Sequence, residues 1–446
     1  MSVSEALVRA VAAAEAPRVA VVRGGRVTAF DGTTLEAIGI DAVVGGRALV
    51  GPRGQAAEII GFRDGRALLM GLSSLAAVTP GAAVVADGVA ADVGVGEALL
   101  GRVIDGLGRP LDGLGPVRAR ARRPLVGAPV PPGARARVKL PLATGVRAID
   151  GLLTLGRGQR VGIMAGTGVG KSVLLGQIAR WAVADVVVMA LIGERGREIS
   201  DFVETELSGP ARGRTVTVAV PAGEAPLLRV RGAERAFAIA EHFRDEGRHV
   251  LLILDSLSRV VHGAREVALA RGENAGGRGY PPSAMALIAA LAERAGGVKA
   301  VKGVRGGAIT AIMTVLAEAD DGGDAVVDAA RGVLDGHILL SRKLAGRGGF
   351  PAVDLSASAS RVMGDVVGPA HLAAAARFRR LNALIEDNRD LVLMGAYAPG
   401  SDPELDAALA LAPRLEAFRC QARGAQAHWH ETETGLLALT GAGEGA

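Results

Sequence analysis

Gly158-Gln159-Arg160-Val161-Gly162-Ile163-Met164-Ala165-Gly166-Thr167-Gly168-Val169-Gly170-Lys171-Ser172-Val173-Leu174-Leu175 is the stretch on which the fold turns. The apolar run QRVGIM leads into a glycine-rich loop, and the loop leads into the helix-forming run VLLGQIARWA. Strand, loop and helix in that order make a P-loop. Gly166, Thr167, Gly168, Val169 and Gly170 would aim successive backbone N–H groups at a phosphate, and the helix N-terminus adds partial positive charge. Lys171 would reach the β- and γ-phosphate oxygens, Ser172 would offer its hydroxyl to Mg²⁺, and Val173 continues the first helical turn. Ala165 stands where the stricter pattern has Gly, so the loop is of the relaxed form. Only five of the 51 basic residues are Lys, so a Lys at this spacing is unlike its surroundings.

Working outward, the runs DVVVMALIG, TVTVAVP, HVLLILD, AITAIMTVLA and GHILLS read as buried strands, with helix-length segments such as 171–181 and 231–244 between them. Near-continuous apolar strands alternating with helices predict a parallel sheet covered on both faces. Asp255 ends HVLLILD; at the carboxyl end of a neighbouring strand it would face the P-loop and hold Mg²⁺ through water. Glu194 follows DVVVMALIG and has two readings, a carboxylate that orients the attacking water or a surface ion-pair partner of Arg195 and Arg197. Upstream, short apolar runs split by Gly and Asp over 18–92 predict a small β-barrel. Residues 2–16 place Leu7, Val8 and Val11 on one face of a short helix, giving an amphipathic segment at 1–17. An arginine-rich, proline-containing stretch at 118–139 reads as a solvated linker, with an anionic partner as the alternative. Beyond 369 strands become scarce and AHLAAAARFRRLNALIED and DPELDAALALAPRLEAFRCQA read as helices. The expected order is therefore a helix at 1–17, a barrel at 18–92, an α/β nucleotide-binding domain at 93–368 and a helical domain at 369–446.

Composition narrows the function. The 446 residues are 49% hydrophobic and 22% charged, which excludes a disordered chain. One cysteine, Cys420, excludes a disulfide framework and a cysteine-based zinc site. The longest uncharged run, 67–86, contains Gly71, Ser73, Ser74, Thr79, Pro80 and Gly81 and reads as two strands around a turn rather than a membrane span. Glu5, Arg9 and Glu15 interrupt any secretory segment, so a cytoplasmic location is expected. A net charge of +5 with 3% aromatic residues argues against a base-stacking nucleic-acid platform.

These pieces resemble the catalytic subunits of rotary-type ATPases and, more closely, the flagellar and type III secretion export ATPases. The resemblance covers nearly the whole chain. It rests on LLGRVIDGLGRPLDG (99–113), PLATGVRAIDGLLTLGRGQRVGIMAGTGVGKS (141–172), LIGERGREISDFVE (191–204), ILDSLSRV (253–260), AREVALARGE (264–273), GYPPS (279–283), LDGHILLSRKLA (334–345), FPAVD (350–354), SASRVM (358–363) and GAYAPGSDPELD (395–406). It implies a RecA-like P-loop core behind an N-terminal barrel. It also implies that Glu194 is the catalytic glutamate, that Arg195 follows it as in catalytic subunits, and that Arg361 is the arginine finger a neighbouring subunit inserts. Taken alone, Arg361 would be one more surface arginine. Phe350 stands where most relatives have a Tyr stacked on adenine; the ring is kept and the hydroxyl is lost. Gly272-Glu273-Asn274-Ala275 replaces the usual GEPP, and small residues occupy 284–290, which touches partner contacts rather than hydrolysis.

Heteromeric rotary ATPases divide the catalytic glutamate and the finger between two chains, whereas here Glu194 and Arg361 share one. The resemblance therefore implies a closed ring of six identical subunits. It further implies ATP and Mg²⁺ as ligands, a stalk-like negative regulator bound at the N-terminal helix, export chaperones with their substrates, and peripheral contact with a membrane export gate. GTGVGKS is nearer the flagellar form of the loop than the virulence form. The rivals are a virulence secretion ATPase, a non-catalytic nucleotide-binding subunit of the rotary type, and an RNA-translocating hexamer. The last is disfavoured because only Phe30 and Phe62 supply aromatic rings before residue 100.

Overall fold

Alternation of inward and outward residues builds the first of two compact units, Met1–Ala91 and Asp92–Ala446. The computed structural model describes residues 24–90, 92–301, 303, 305–317 and 323–441, so the amphipathic helix expected at 1–17 lies outside the described residues. In the first unit β1 (Gly25–Phe30), β2 (Thr34–Ile38), β3 (Gly46–Val50), β4 (Gln55–Arg63), β5 (Arg66–Gly71) and β6 (Ala83–Ala90) close a barrel in the order β1-β2-β5-β4-β3-β6. In β3, Ala48 and Val50 point into the core while Leu49 is exposed, as period-2 geometry requires. Val27, Leu35, Ile59, Leu69 and Val84 fill the interior. Asp64-Gly65 joins β4 to β5 with both residues at positive φ, the two-residue hairpin that strand twist favours.

The second unit is built on a sheet ordered β14-β13-β8-β12-β11-β9-β10-β7. The strands are β7 (Val103–Ile104), β8 (Arg160–Ala165), β9 (Val186–Ile192), β10 (Thr215–Val220), β11 (His249–Asp255), β12 (Ala308–Leu316), β13 (Gly336–Leu340) and β14 (Val353–Ser360). All pair in parallel except β14, which runs antiparallel to β13 at the edge. Every residue of β9, β10 and β11 is buried, because helices cover both faces. The six strands expected from the apolar runs are all present. Edge strands β7 and β14 and barrel strand β2 are additional. Helix α1 (Lys171–Trp181) follows the P-loop, and α2 (Pro226–Asp245) begins five residues before the apolar pattern suggested, with Pro226 at its first position. Helices α3 (Leu257–Ala270) and α4 (Pro282–Arg294) complete this layer.

The C-terminal helices α5 (Pro369–Asp387), α6 (Pro403–Arg419) and α7 (Trp429–Thr440) share one hydrophobic core with the sheet. Phe378 and Phe418 meet there with ring centroids 5.5 Å apart. The arginine-rich 118–139 stretch is not a solvated linker. Ala121–Pro124 pairs with Asp92–Val95, and Arg135–Ala136 pairs with Gly296–Val298. Glu241 is fully buried and needs cationic partners. Arg294 supplies a bidentate contact at 2.7 and 3.1 Å, and Arg123 adds one at 3.2 Å while reaching Asp245 at 2.7 Å. Arg135 is tied to Glu293 at 2.5 Å. The stretch is thus a strap latched to the nucleotide-binding unit, and its charge alone could not reveal which arginines were spoken for.

Buried Asp150 shapes the turn before the short helix Arg147–Leu152. Its carboxylate accepts from Thr144 N at 2.8 Å, Thr144 Oγ1 at 2.6 Å and Gly145 N at 3.0 Å. Asp150→Ala would leave these donors buried without a partner, and the expected loss is about 3 kcal/mol or more, read as a lower denaturant midpoint at unchanged m-value.

Candidate active site

Parallel strands bring their carboxyl ends to one crevice, and the P-loop opens there. Gly170 has φ 86°, a left-handed value, and Cδ1 and Cε1 of Phe350 lie 3.2 Å from where a Cβ would stand. Glycine is required at this position on both counts. Val169 is buried, Gly166 and Gly170 are half-buried, and Thr167 and Gly168 are exposed along the loop. Ser172 is exposed in the first turn of α1, with Val173 half-buried behind it.

The Lys171 ammonium lies 2.5 Å from Asp255 Oδ1 and 3.5 Å from Glu194 Oε1. Strand register explains the meeting. Asp255 ends β11 opposite Leu191 of β9, and Glu194 follows two residues after β9 ends. Burial pushes the Lys171 pKa down, but the carboxylates of Asp255 and Glu194 outweigh it and the net shift is upward. Burial raises the Glu194 pKa, and the charge of Asp255 raises it further against the opposing pull of Lys171. Thr314 on β12, the strand between β8 and β11, donates from Oγ1 to Asp255 Oδ1 at 2.6 Å. A threonine inside an apolar strand gave no sequence signal for this contact.

Two predicted site residues lie outside this cluster. The Arg195 side chain is 84% exposed and pairs with Glu198 at 3.3 Å. Arg361 is exposed, and its Nη2 donates to Arg331 O at 3.2 Å. Sheet polarity sets the position of Arg361. β14 returns antiparallel, so Ser360 pairs with Gly336, whereas the P-loop leaves β8 at Ala165, opposite Leu340 at the other end of β13. Along the strand direction alone, the four steps of β13 from Gly336 to Leu340, about 13 Å at ~3.3 Å per residue, separate the level of Ser360, next to Arg361, from that of Ala165 before the P-loop.

Beside the loop lies a cavity of about 580 Å³ whose lining includes Gly170, Val173, Leu174 and Gln177, Phe350 and, from beyond α6, Cys420–Arg423. Phe350, 41% exposed, forms one wall. The Cys420–Arg423 wall was not legible in the sequence, since it reaches the pocket only through folding of the C-terminal helices. Arg342 was missed as well; its Nε and Nη2 lie 3.0 Å from where a Cβ on Gly166 would stand. A second cavity of about 480 Å³ lies among Arg157, Asp185, Arg214 and His249, around residues that precede or begin the strands.

No group of three or more His, Cys, Asp or Glu among the described residues could cage a metal ion. One carboxylate, Asp255, and one hydroxyl, Ser172, beside a phosphate cradle fit Mg²⁺, which is commonly held by one or two protein groups plus substrate phosphates. No helix among the described residues is long and apolar enough to cross a membrane.

Comparison with known proteins gives the family. Residues 145–360 match the model of the ATP synthase alpha/beta family, nucleotide-binding domain. Residues 367–438 match the T3SS EscN ATPase C-terminal domain. The chain is 46% identical over 426 residues to the flagellum-specific ATP synthase of Pseudomonas aeruginosa, covering 94% of each protein. It is 48% identical over 427 residues to that of Salmonella typhimurium, covering 93% of this chain and 92% of that one. The assembled ATPase EscN in complex with its central stalk EscO, from the enteropathogenic E. coli type III secretion system, superposes with a TM-score of 0.86 at 39% identity, covering 93% of this chain and all of that one. The chain therefore belongs to the flagellar and type III secretion ATPases of the ATP synthase alpha/beta family.

Proposed function

We propose that this protein hydrolyses Mg²⁺-ATP at sites shared between neighbouring subunits of a homohexameric ring, and that the ring serves flagellar-type protein export. The observation that carries the reading is the Lys171 ammonium held by Asp255 and Glu194 at the mouth of the P-loop. Lys171 exchanges its carboxylate partners for phosphate oxygens when nucleotide enters, which releases Asp255 and Glu194 for other tasks. Asp255 and Ser172 would hold Mg²⁺, which would supply positive charge against the phosphate oxygens. Glu194 accepts a hydrogen bond from the attacking water and aims it at the γ-phosphate. Phe350 stacks on the base. Arg361 of the next protomer reaches the transferring phosphoryl group; its distance from the P-loop of its own chain supports a trans role. Arg195, on the outer side of the Glu194 loop, acts at the same interface.

The E. coli relative is assembled with its central stalk, and this supports a ring that receives a stalk-like partner here. In our reading the segment 1–17 binds the negative regulator, and hydrolysis at the cytoplasmic face of the inner membrane releases substrates from chaperones for the export gate. The flagellar form of the GTGVGKS loop, with identities of 46% and 48% to two flagellar relatives against 43% to a type 3 secretion system ATPase of Sinorhizobium fredii, favours the flagellar system. The test is phosphate release by the purified chain with Mg²⁺-ATP. Turnover that vanishes in Lys171→Ala is expected. No turnover by the assembled wild-type ring would refute the reading in favour of a non-catalytic nucleotide-binding subunit.

A further inference from the structure

The Cys420–Arg423 wall of the base cavity has no helix or strand of its own. Side-chain amides hold it. Buried Gln177, in the middle of α1, donates from Nε2 to the carbonyls of Ala422 at 3.3 Å and Arg423 at 3.2 Å. Gln421 is fixed at its backbone N–H and at both ends of its side-chain amide. Its backbone N–H donates to Phe350 O at 2.8 Å. Its Nε2 donates to Gly145 O at 2.9 Å and Ala425 O at 2.6 Å, and its Oε1 accepts from Arg147 N at 2.9 Å. A third tie comes from Glu206, which accepts from Arg423 and from Arg180 of α1, each at 2.5 Å. Glu206 lies flat on α1, since a Cβ at Gly176 would come within 2.3 Å of its Oε2. One helix thus begins at the phosphate-binding lysine and, two turns on, fixes the far wall of the base pocket.

We infer that Gln177 and Gln421 are positioning residues that set base affinity and purine selectivity by holding the 420–423 wall against Phe350. The inference rests on nucleotide binding at this P-loop, as proposed above. Both side chains line the cavity, but their amides are spent elsewhere: Gln177 gives its donors to two carbonyls, and Gln421 gives its amide to the turn at 145–147 and to Ala425 O. Without these anchors the wall keeps only the Glu206–Arg423 pair and the backbone bond from Gln421 N–H to Phe350 O, and it loosens against the Phe350 ring. The stacked base then loses ordered contact while the phosphate cradle stays intact.

Gln177→Met keeps the side-chain length and removes both donors. The expected result is a rise of about tenfold in KM for ATP, the effect of two modest hydrogen bonds, with kcat within about twofold. The preference for ATP over GTP should shrink by a similar factor. Inhibition by inorganic tripolyphosphate, which has no base, should be unchanged. Cys420, the only cysteine, supplies a readout that needs no turnover. ADP should slow its alkylation by N-ethylmaleimide in the parent, and the variant should need about tenfold more ADP for the same protection. Gln421→Met should reproduce the pattern from the other anchor. A parallel loss of tripolyphosphate inhibition would mean that Gln177 merely supports α1, and would overturn the inference. Unchanged KM with undiminished protection of Cys420 would also overturn it. A parent chain that protects Cys420 with ADP yet hydrolyses nothing would count against the proposed ATPase activity and not against this wall.

Discussion

Glu194→Gln is expected to bind ATP as tightly as the parent and to lose turnover by about 10²–10⁴-fold, the range typical of a positioned general base. The amide keeps the shape of the side chain but cannot accept a proton, and it no longer attracts Lys171, 3.5 Å away. The pH profile offers an independent check. Water is oriented by the carboxylate form, so activity is present above the Glu194 pKa and is lost as pH falls through it. Burial and the neighbouring Asp255 raise that pKa above the ordinary 4.5. The acidic limb of kcat/KM, which reports the free enzyme, should therefore lie above pH 4.5 in the parent. Near-parental hydrolysis by Glu194→Gln would remove Glu194 from the mechanism.

Arg361→Ala should have the larger effect, about 10³-fold or more, by analogy with the loss of other trans-acting arginines. Its guanidinium is exposed and makes one hydrogen bond, to the Arg331 carbonyl, so folding and nucleotide affinity should be preserved. Arg361→Lys should recover little, because an ammonium cannot present the planar fork of donors. Turnover and ATP binding measured on the same assembled sample separate this outcome from simple misassembly. If Arg361→Ala hydrolysed ATP at the parental rate, the proposed finger would have to be abandoned.

The sequence carried the centre of the fold and left its edges obscure. Strands β8 to β13 were readable because burial on both faces demands unbroken apolar runs, and VVVMALI and HVLLILD leave little choice. Strand β14 was passed over although VDLSASAS alternates apolar and polar residues, because its Ala and Ser side chains are small and an edge strand carries less apolar surface than the buried runs. That omission matters, since β14 is the element whose antiparallel return carries Arg361 away from the P-loop of its own chain. Asp255 was readable because it ends an apolar run, and Lys171 because a glycine-rich loop between strand and helix announces it; Glu194 follows an apolar run as well, but only the family resemblance separated a catalytic carboxylate from a surface ion-pair partner. Thr314 and Gln177 were not readable, because a polar residue inside a buried element declares no partner until the strands are ordered. The arginine strap failed for a related reason: composition counts charges, while pairing with buried Glu241 depends on tertiary structure.

Equimolar mixing of Glu194→Gln and Arg361→Ala chains, followed by phosphate release from assemblies verified to contain both, is the most direct measurement. Each chain alone should be nearly inactive. If Glu194 and Arg361 serve a site from opposite sides of a subunit interface, about a quarter of the interfaces in random mixed rings regain an intact pair, and turnover should reappear. If both residues act within one chain, no protomer in the mixture is complete, and absence of recovery in verified mixed rings would contradict the shared site.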